Sequence, residues 1–116
     1  MEFKKVNVEY LNEVCDNSPE LIREMIDIFR SQVVEFKDEM VRLLSAGEYY
    51  DLGLLAHKAK SSVSIMGMED LAIRLKELEK KAKEGLETEK YRDYIDNFDS
   101  QTRQAVGELE SYLETL

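Results

Sequence analysis

The sequence predicts an all-α fold: an antiparallel up-down-up-down four-helix bundle with a short N-terminal helix across one end, formed by residues 1–116 as a single domain. Three observations lead there. Of 116 residues, 43% are hydrophobic and 35% charged, with one proline and five glycines, a balance that is globular, loop-poor and helix-friendly. Apolar residues recur at intervals of three and four along most of the chain, and no alternating strand pattern competes with them. Glycines stand just past the apolar stripes, at Gly47, Gly67 and Gly85, where helix stop signals belong.

The first helix, about Asn7 to Cys15, takes Asn7 as its N-cap and presents Val8, Leu11 and Val14 or Cys15 at helical spacing. It is too short to be stable alone. The second starts with Ser18 as cap and Pro19 in the first helical position. Its stripe is Ile22, Met25, Phe29, Val33, Phe36, Met40 and Leu43, a helix of roughly 40 Å at 1.5 Å per residue. A third helix is expected from about Glu48 to Met66. The fourth, about Glu69 to Glu84, buries Leu71, Leu75, Leu78 and Ala82. The fifth runs from about Thr88 to the C-terminus with Tyr91, Ile95, Phe98, Thr102, Ala105, Leu109, Tyr112 and Leu116 along one seam. Long amphipathic helices joined by turns of a few residues are expected to be antiparallel neighbours.

Composition narrows the function classes. No run of about 18 apolar residues is present, and the opening MEFKKVNVEY lacks the apolar core of a signal peptide, so a soluble cytoplasmic protein is expected. Cys15 is the only cysteine, which excludes an internal disulfide and a cysteine-rich zinc site and suits a buried small hydrophobe. The formal net charge of −9 argues against nucleic acid and anionic membranes as partners. Its distribution is uneven: residues 1–56 and 84–116 each carry −6, whereas residues 57–83 carry +3 and hold the one histidine. A monomer is expected, because the seam of the fifth helix is consumed within one bundle.

The third helix is unusual on its outside. Projected at 100° per residue, Leu52, Leu55, Ala56, Ser62, Val63 and Met66 fall within about 60° of Ala59 and define the buried face. The opposite side carries Gly53, Leu54, His57, Ser61, Ser64 and Ile65, small and apolar where Glu and Lys are usual on a surface helix. His57 lies near the middle of that side, about 160° from the core centre. Its position is unsuited to a core histidine, and small Ser61 with Leu54 and Ile65 as flanks leaves room for a partner surface.

An imidazole with its ordinary pKa of about 6.5 is largely neutral near pH 7 and offers a lone pair for nucleophilic attack. Phosphoryl transfer is a natural use. Lys60, three residues on and one turn along, is placed to steady the charged oxygens of a transferred group. Metal binding would need further ligands close by, and hydrolysis lacks a base with its orienting partner.

The segment AHKAKSSVSIMGMEDLAIRLKELEKKAKEG, Ala56 to Gly85, resembles the histidine-containing phosphotransfer domain of two-component phosphorelays. The family's Ala-His-x-Leu-Lys-Gly-Ser pattern, closed by a later glycine, is matched by Ala56, His57, Lys60, Ser62 and Gly67. Its Leu-Glu-x-x-Ala-Arg-x-Gly in the next helix looks like Leu78, Glu79, Ala82, Lys83 and Gly85. Two positions depart from it: Ser61 stands where glycine is usual, and Ala59 replaces a commoner leucine.

The resemblance implies that His57 is the phospho-acceptor and Lys60 the phosphate-stabilising lysine. Glu79 would be a polar neighbour of the histidine and Lys83 a basic residue near the active face. Lys58, Ser61, Ser64, Leu54, Ile65 and Gly67 would belong with them to the docking surface. It further implies response-regulator receiver domains and a hybrid sensor histidine kinase as partners, no autonomous kinase activity, and no cofactor, with magnesium on the partner receiver. The alternative is a non-phosphorylated helical scaffold that binds receiver domains, for which Ser61 is the motive.

Overall fold

The structure, a computed structural model, describes residues 3–116. Those residues are all-helical, with no strand among them. Five α-helices follow in order: α1 (Val8–Val14), α2 (Pro19–Ala46), α3 (Tyr49–Ile65), α4 (Glu69–Glu84) and α5 (Tyr91–Leu113). A 3-10 turn, Thr88–Lys90, leads into the last. Among the described residues, no helix is long and apolar enough to cross a membrane.

Local chemistry sets the boundaries. Asn7 Oδ1 accepts from the Tyr10 N–H at 3.0 Å, and Ser18 Oγ from the Leu21 N–H at 3.3 Å, so each cap satisfies a donor that the first turn leaves free. Pro19 follows Ser18 in the first turn, where its missing N–H costs nothing. Gly47, Gly67 and Gly85 have φ of 72°, 75° and 65°, the left-handed region that favours a residue without Cβ. At Gly67 the space is closed as well: a Cβ there would lie 2.4 Å from Asn7 Cβ.

The long helices enclose one continuous core. α3 packs on α4, α4 on α5, α5 on α2 and α2 on α3. Phe29, Met40, Leu52, Leu78, Tyr91 and Phe98 are fully buried within it. Burying each such side chain contributes roughly 1.5–3 kcal/mol of transfer free energy. α2, at about 1.5 Å per residue, matches the 43 Å long dimension of the molecule. Among the described residues Thr102 is the buried polar exception, and its Oγ1 donates to the Phe98 carbonyl at 2.8 Å. Cys15 is buried and unpaired, as its sequence position suggests.

Several seam positions differ from expectation. Ile26 is buried in α2 while Met25 and Phe36 are only half-buried, and Tyr94 joins the buried row of α5. Each of these helices has two long neighbours, so its buried face is wider than one row. Tyr94 is turned toward α4, where its hydroxyl donates to Glu77 at 3.0 Å and Arg74 lies 5.2 Å from the ring centroid. Leu116 is exposed beyond the end of α5, because the helix stops at Leu113.

The two ends of the chain are stitched together. Glu108 of α5 accepts from the backbone N–H groups of Lys4, Lys5 and Val6 at 2.9–3.2 Å. Asn12 Nδ2 donates to Tyr112 Oη at 2.6 Å, and the Asn7 N–H reaches the Met66 carbonyl at 3.0 Å.

Candidate functional site

α3 lies between α2 and α4, and its outer residues divide between those two neighbours. On the α4 side, Gly53 is buried, a correction to its expected place on the open face. Projection from a single core centre takes no account of α4, which covers that flank one turn before His57.

His57 itself is exposed: 56% of its side chain remains accessible. Its Nδ1 lies 3.0 Å from Glu79 Oε1 on α4, and Lys83 Nζ donates to Glu79 Oε2 at 2.8 Å. Glu79 is the sheltered member, with 16% of its side chain accessible. A carboxylate only accepts, so in the neutral ring the hydrogen sits on Nδ1 and the lone pair on Nε2. The Lys83 hydrogen bond, opposed by burial and reinforced by His57, holds the Glu79 carboxyl below the usual glutamate range. Glu79 in turn raises the Lys83 ammonium. The orienting group is therefore an anion at neutral pH.

A shallow, open depression surrounds this chain of contacts, lined by His57, Lys60, Lys76, Glu79, Lys80, Lys83 and Glu84. Lys60, Lys76 and Lys80 form no ion pair among the described residues, so their charge faces whatever enters. Such a site presents one nucleophilic nitrogen, a fixed tautomer and unneutralised cations, suited to an incoming anionic electrophile. Among the described residues, no group of three His, Cys, Asp or Glu side chains is placed to hold a metal ion.

The structure gathers His57, Lys60, Glu79 and Lys83 and separates the other candidates. Lys58 and Leu54 line a second depression on the α2 side of α3, with Glu39, Arg42 and Asp51. Ser61 is exposed. Ser64 and Gly67 are half-buried and line a third depression with Asn7, Tyr10 and Ile73. Ile65, expected as an open flank, is half-buried and packed against the core. α1 also packs on α3, and the Asn7 N–H holds the Met66 carbonyl, so the end of α3 has more cover than its middle. Ser62 is engaged across the α2–α3 contact, its Oγ donating to Gln32 at 3.0 Å.

Sequence reasoning did not single out Lys76 and Lys80 as lining residues. The signal was present, since positions 76, 79, 80 and 83 follow the three- and four-residue spacing of one helix face. Glu79 stands 22 residues from His57, a separation that helical spacing does not connect. No family model, curated protein or solved structure matches this chain.

Proposed function

We propose that this protein is a phosphorelay intermediate that accepts a phosphoryl group on His57 from a receiver-domain aspartate and passes it to another receiver aspartate. The observation that supports it best is the exposed imidazole whose Nδ1 is taken by Glu79. Nε2 attacks the phosphorus of an aspartyl phosphate. The N–P bond forms as the O–P bond breaks, and the donor leaves as a free carboxylate. The ring keeps its Nδ1 hydrogen and becomes cationic, and the Glu79 carboxylate stabilises that charge. Lys60, with Lys76 and Lys80 beside it, faces the phosphoryl oxygens. Return of the group to a second aspartate is the same step reversed. On this reading the chain brings no cofactor, and magnesium belongs to the receiver.

The reading also takes α2 to α5 as an up-down-up-down antiparallel bundle with α1 across one end. Short connections support it, Gly47–Glu48 between α2 and α3 and Met66–Met68 between α3 and α4, together with the closed ring of helix contacts. It places the protein in the cytoplasm as a monomer, between a hybrid sensor kinase and a response regulator. A second reading, a receiver-binding scaffold that is never phosphorylated, is favoured by one observation: the exposed Ser61 side chain one turn from His57, where the resemblance calls for glycine.

Mixing the protein with a panel of pre-phosphorylated receiver domains separates the two. Acid-labile, alkali-stable phosphate appearing on wild type and not on His57→Gln is the expected result. Binding without transfer from any receiver would reject the relay reading in favour of the scaffold.

A further inference from the structure

We propose that Gly53 is a positioning residue for His57: its missing side chain lets α3 lie directly on α4 at Glu79 and Lys83, which sets the reach of the Glu79 carboxylate to Nδ1. Gly53 sits in the interior of α3 and is buried, a place where glycine weakens a helix relative to alanine. The packing shows what is gained. A Cβ on Gly53 would stand 2.8 Å from Lys83 Cγ, 2.9 Å from the Glu79 carbonyl oxygen and 3.2 Å from the Lys83 nitrogen. The first neighbour is a flexible stem, but the other two are backbone and yield only if α4 moves.

The residues that this contact touches are the two whose side chains end at His57. Glu79 holds Nδ1 at 3.0 Å and Lys83 holds the other oxygen of the same carboxylate. Restoring an ordinary carbon–oxygen separation of about 3.3–3.6 Å at the Glu79 carbonyl pushes α4 outward there. A hydrogen bond at 3.0 Å that is lengthened by that much leaves the ordinary range of about 2.7–3.2 Å and weakens. Gly107 provides the contrast, a helical glycine in α5 with nothing within 4 Å of its Cβ position. Its absent side chain positions nothing.

The inference rests on His57 being the nucleophile for its importance to transfer, but it is read in the unphosphorylated protein, so the two can fail separately. Nitrogen-15 NMR of the His57 ring, at a pH where the ring is neutral, gives the ratio of Nδ1–H to Nε2–H tautomers. In wild type and Gly107→Ala the Nδ1–H form dominates. In Gly53→Ala the ratio falls roughly tenfold, equivalent to about 1.4 kcal/mol, while circular dichroism shows a folded helical protein. An unchanged ratio in folded Gly53→Ala overturns the proposal, and so does a chain that no longer folds, because Gly53 would then serve packing alone. Glu79→Asp withdraws the carboxylate by one methylene without adding an atom at the contact, and it must lower the ratio similarly. A wild-type ratio there also overturns the proposal, whatever Gly53→Ala does.

Discussion

Replacing Glu79 by glutamine keeps the size of the side chain and removes its charge. Two donors now compete for one acceptor: the carboxylate serves Nδ1 with one oxygen and Lys83 with the other, whereas an amide offers a single oxygen and turns its NH2 toward the remaining donor. A hydrogen bond to a charged group contributes about 1.5–3 kcal/mol. With 56% of the His57 side chain accessible, competition from water lowers the loss to about 1–2 kcal/mol. If that loss appears wholly in the proposed transfer step, in which the ring would become cationic, the rate falls roughly 5- to 30-fold at 1.36 kcal/mol per decade. The assay is rapid-quench single turnover from a phosphorylated receiver in excess, on wild type and Glu79→Gln, with helicity checked on both. A rate within twofold of wild type would show that Glu79 does not orient the nucleophile. A rate as low as that of His57→Gln would show that Glu79 does more than orient it.

The pH response follows from the sign of the Glu79 shift. Its carboxyl is held low in the fold, so its contribution is complete above the unfolded value of about 4.3 and is lost as pH falls through the folded value. The difference in urea midpoint between wild type and Glu79→Gln should be full at pH 7 and shrink toward zero as the solution is acidified below about pH 4. Leu78→Ala empties a fully buried position one residue before Glu79 and should cost about 2–5 kcal/mol, measured by urea denaturation. Gly107→Ala, in the interior of α5 with open space at its Cβ position, should raise stability by roughly 0.5–1 kcal/mol in the same experiment.

The sequence was most legible where one short-range rule decides the structure. Pro19 after Ser18 marks the start of α2, and the glycines at 47, 67 and 85 adopt the positive φ that ends a helix. Leu71, Leu75, Leu78 and Ala82 are all buried, since the core-facing side of α4 is one clean row. Legibility fell where the covered face of a helix is wider than one row. Gly53 read as part of an open face because a helical wheel has one core centre, and a glycine pressed against a second helix looks like one facing solvent. Ile26 and Tyr94 are buried beside the expected rows for the same reason. At the site, Lys60 was legible because it lies one turn from His57 on the same helix. The contact between His57 and Glu79 is tertiary, and the motif resemblance, rather than any periodicity, pointed to Glu79. Lys76 and Lys80 fall within the net-positive segment 57–83, and only the packing of α4 beside α3 turns them toward the histidine.

The stitch between the chain ends bears on the order of folding. The backbone bonds from Lys5 and Val6 to Glu108 span 103 and 102 residues, and the Asn12 to Tyr112 bond spans 100. Closing such loops costs more chain entropy than local contacts do, which favours local pairing ahead of it. α3 and α4, by contrast, are joined by three residues and pack along each other. The helix pair that carries His57 and Glu79 is therefore a low-contact-order unit, able to form early and to persist when the ends detach. Amide hydrogen exchange should find the Lys5 and Val6 protons exchanging through a low-energy local opening, while those in the middle of α3 and α4 exchange only with global unfolding. Fraying of the termini and preservation of the histidine surface are then separate events, with the site on the more durable side.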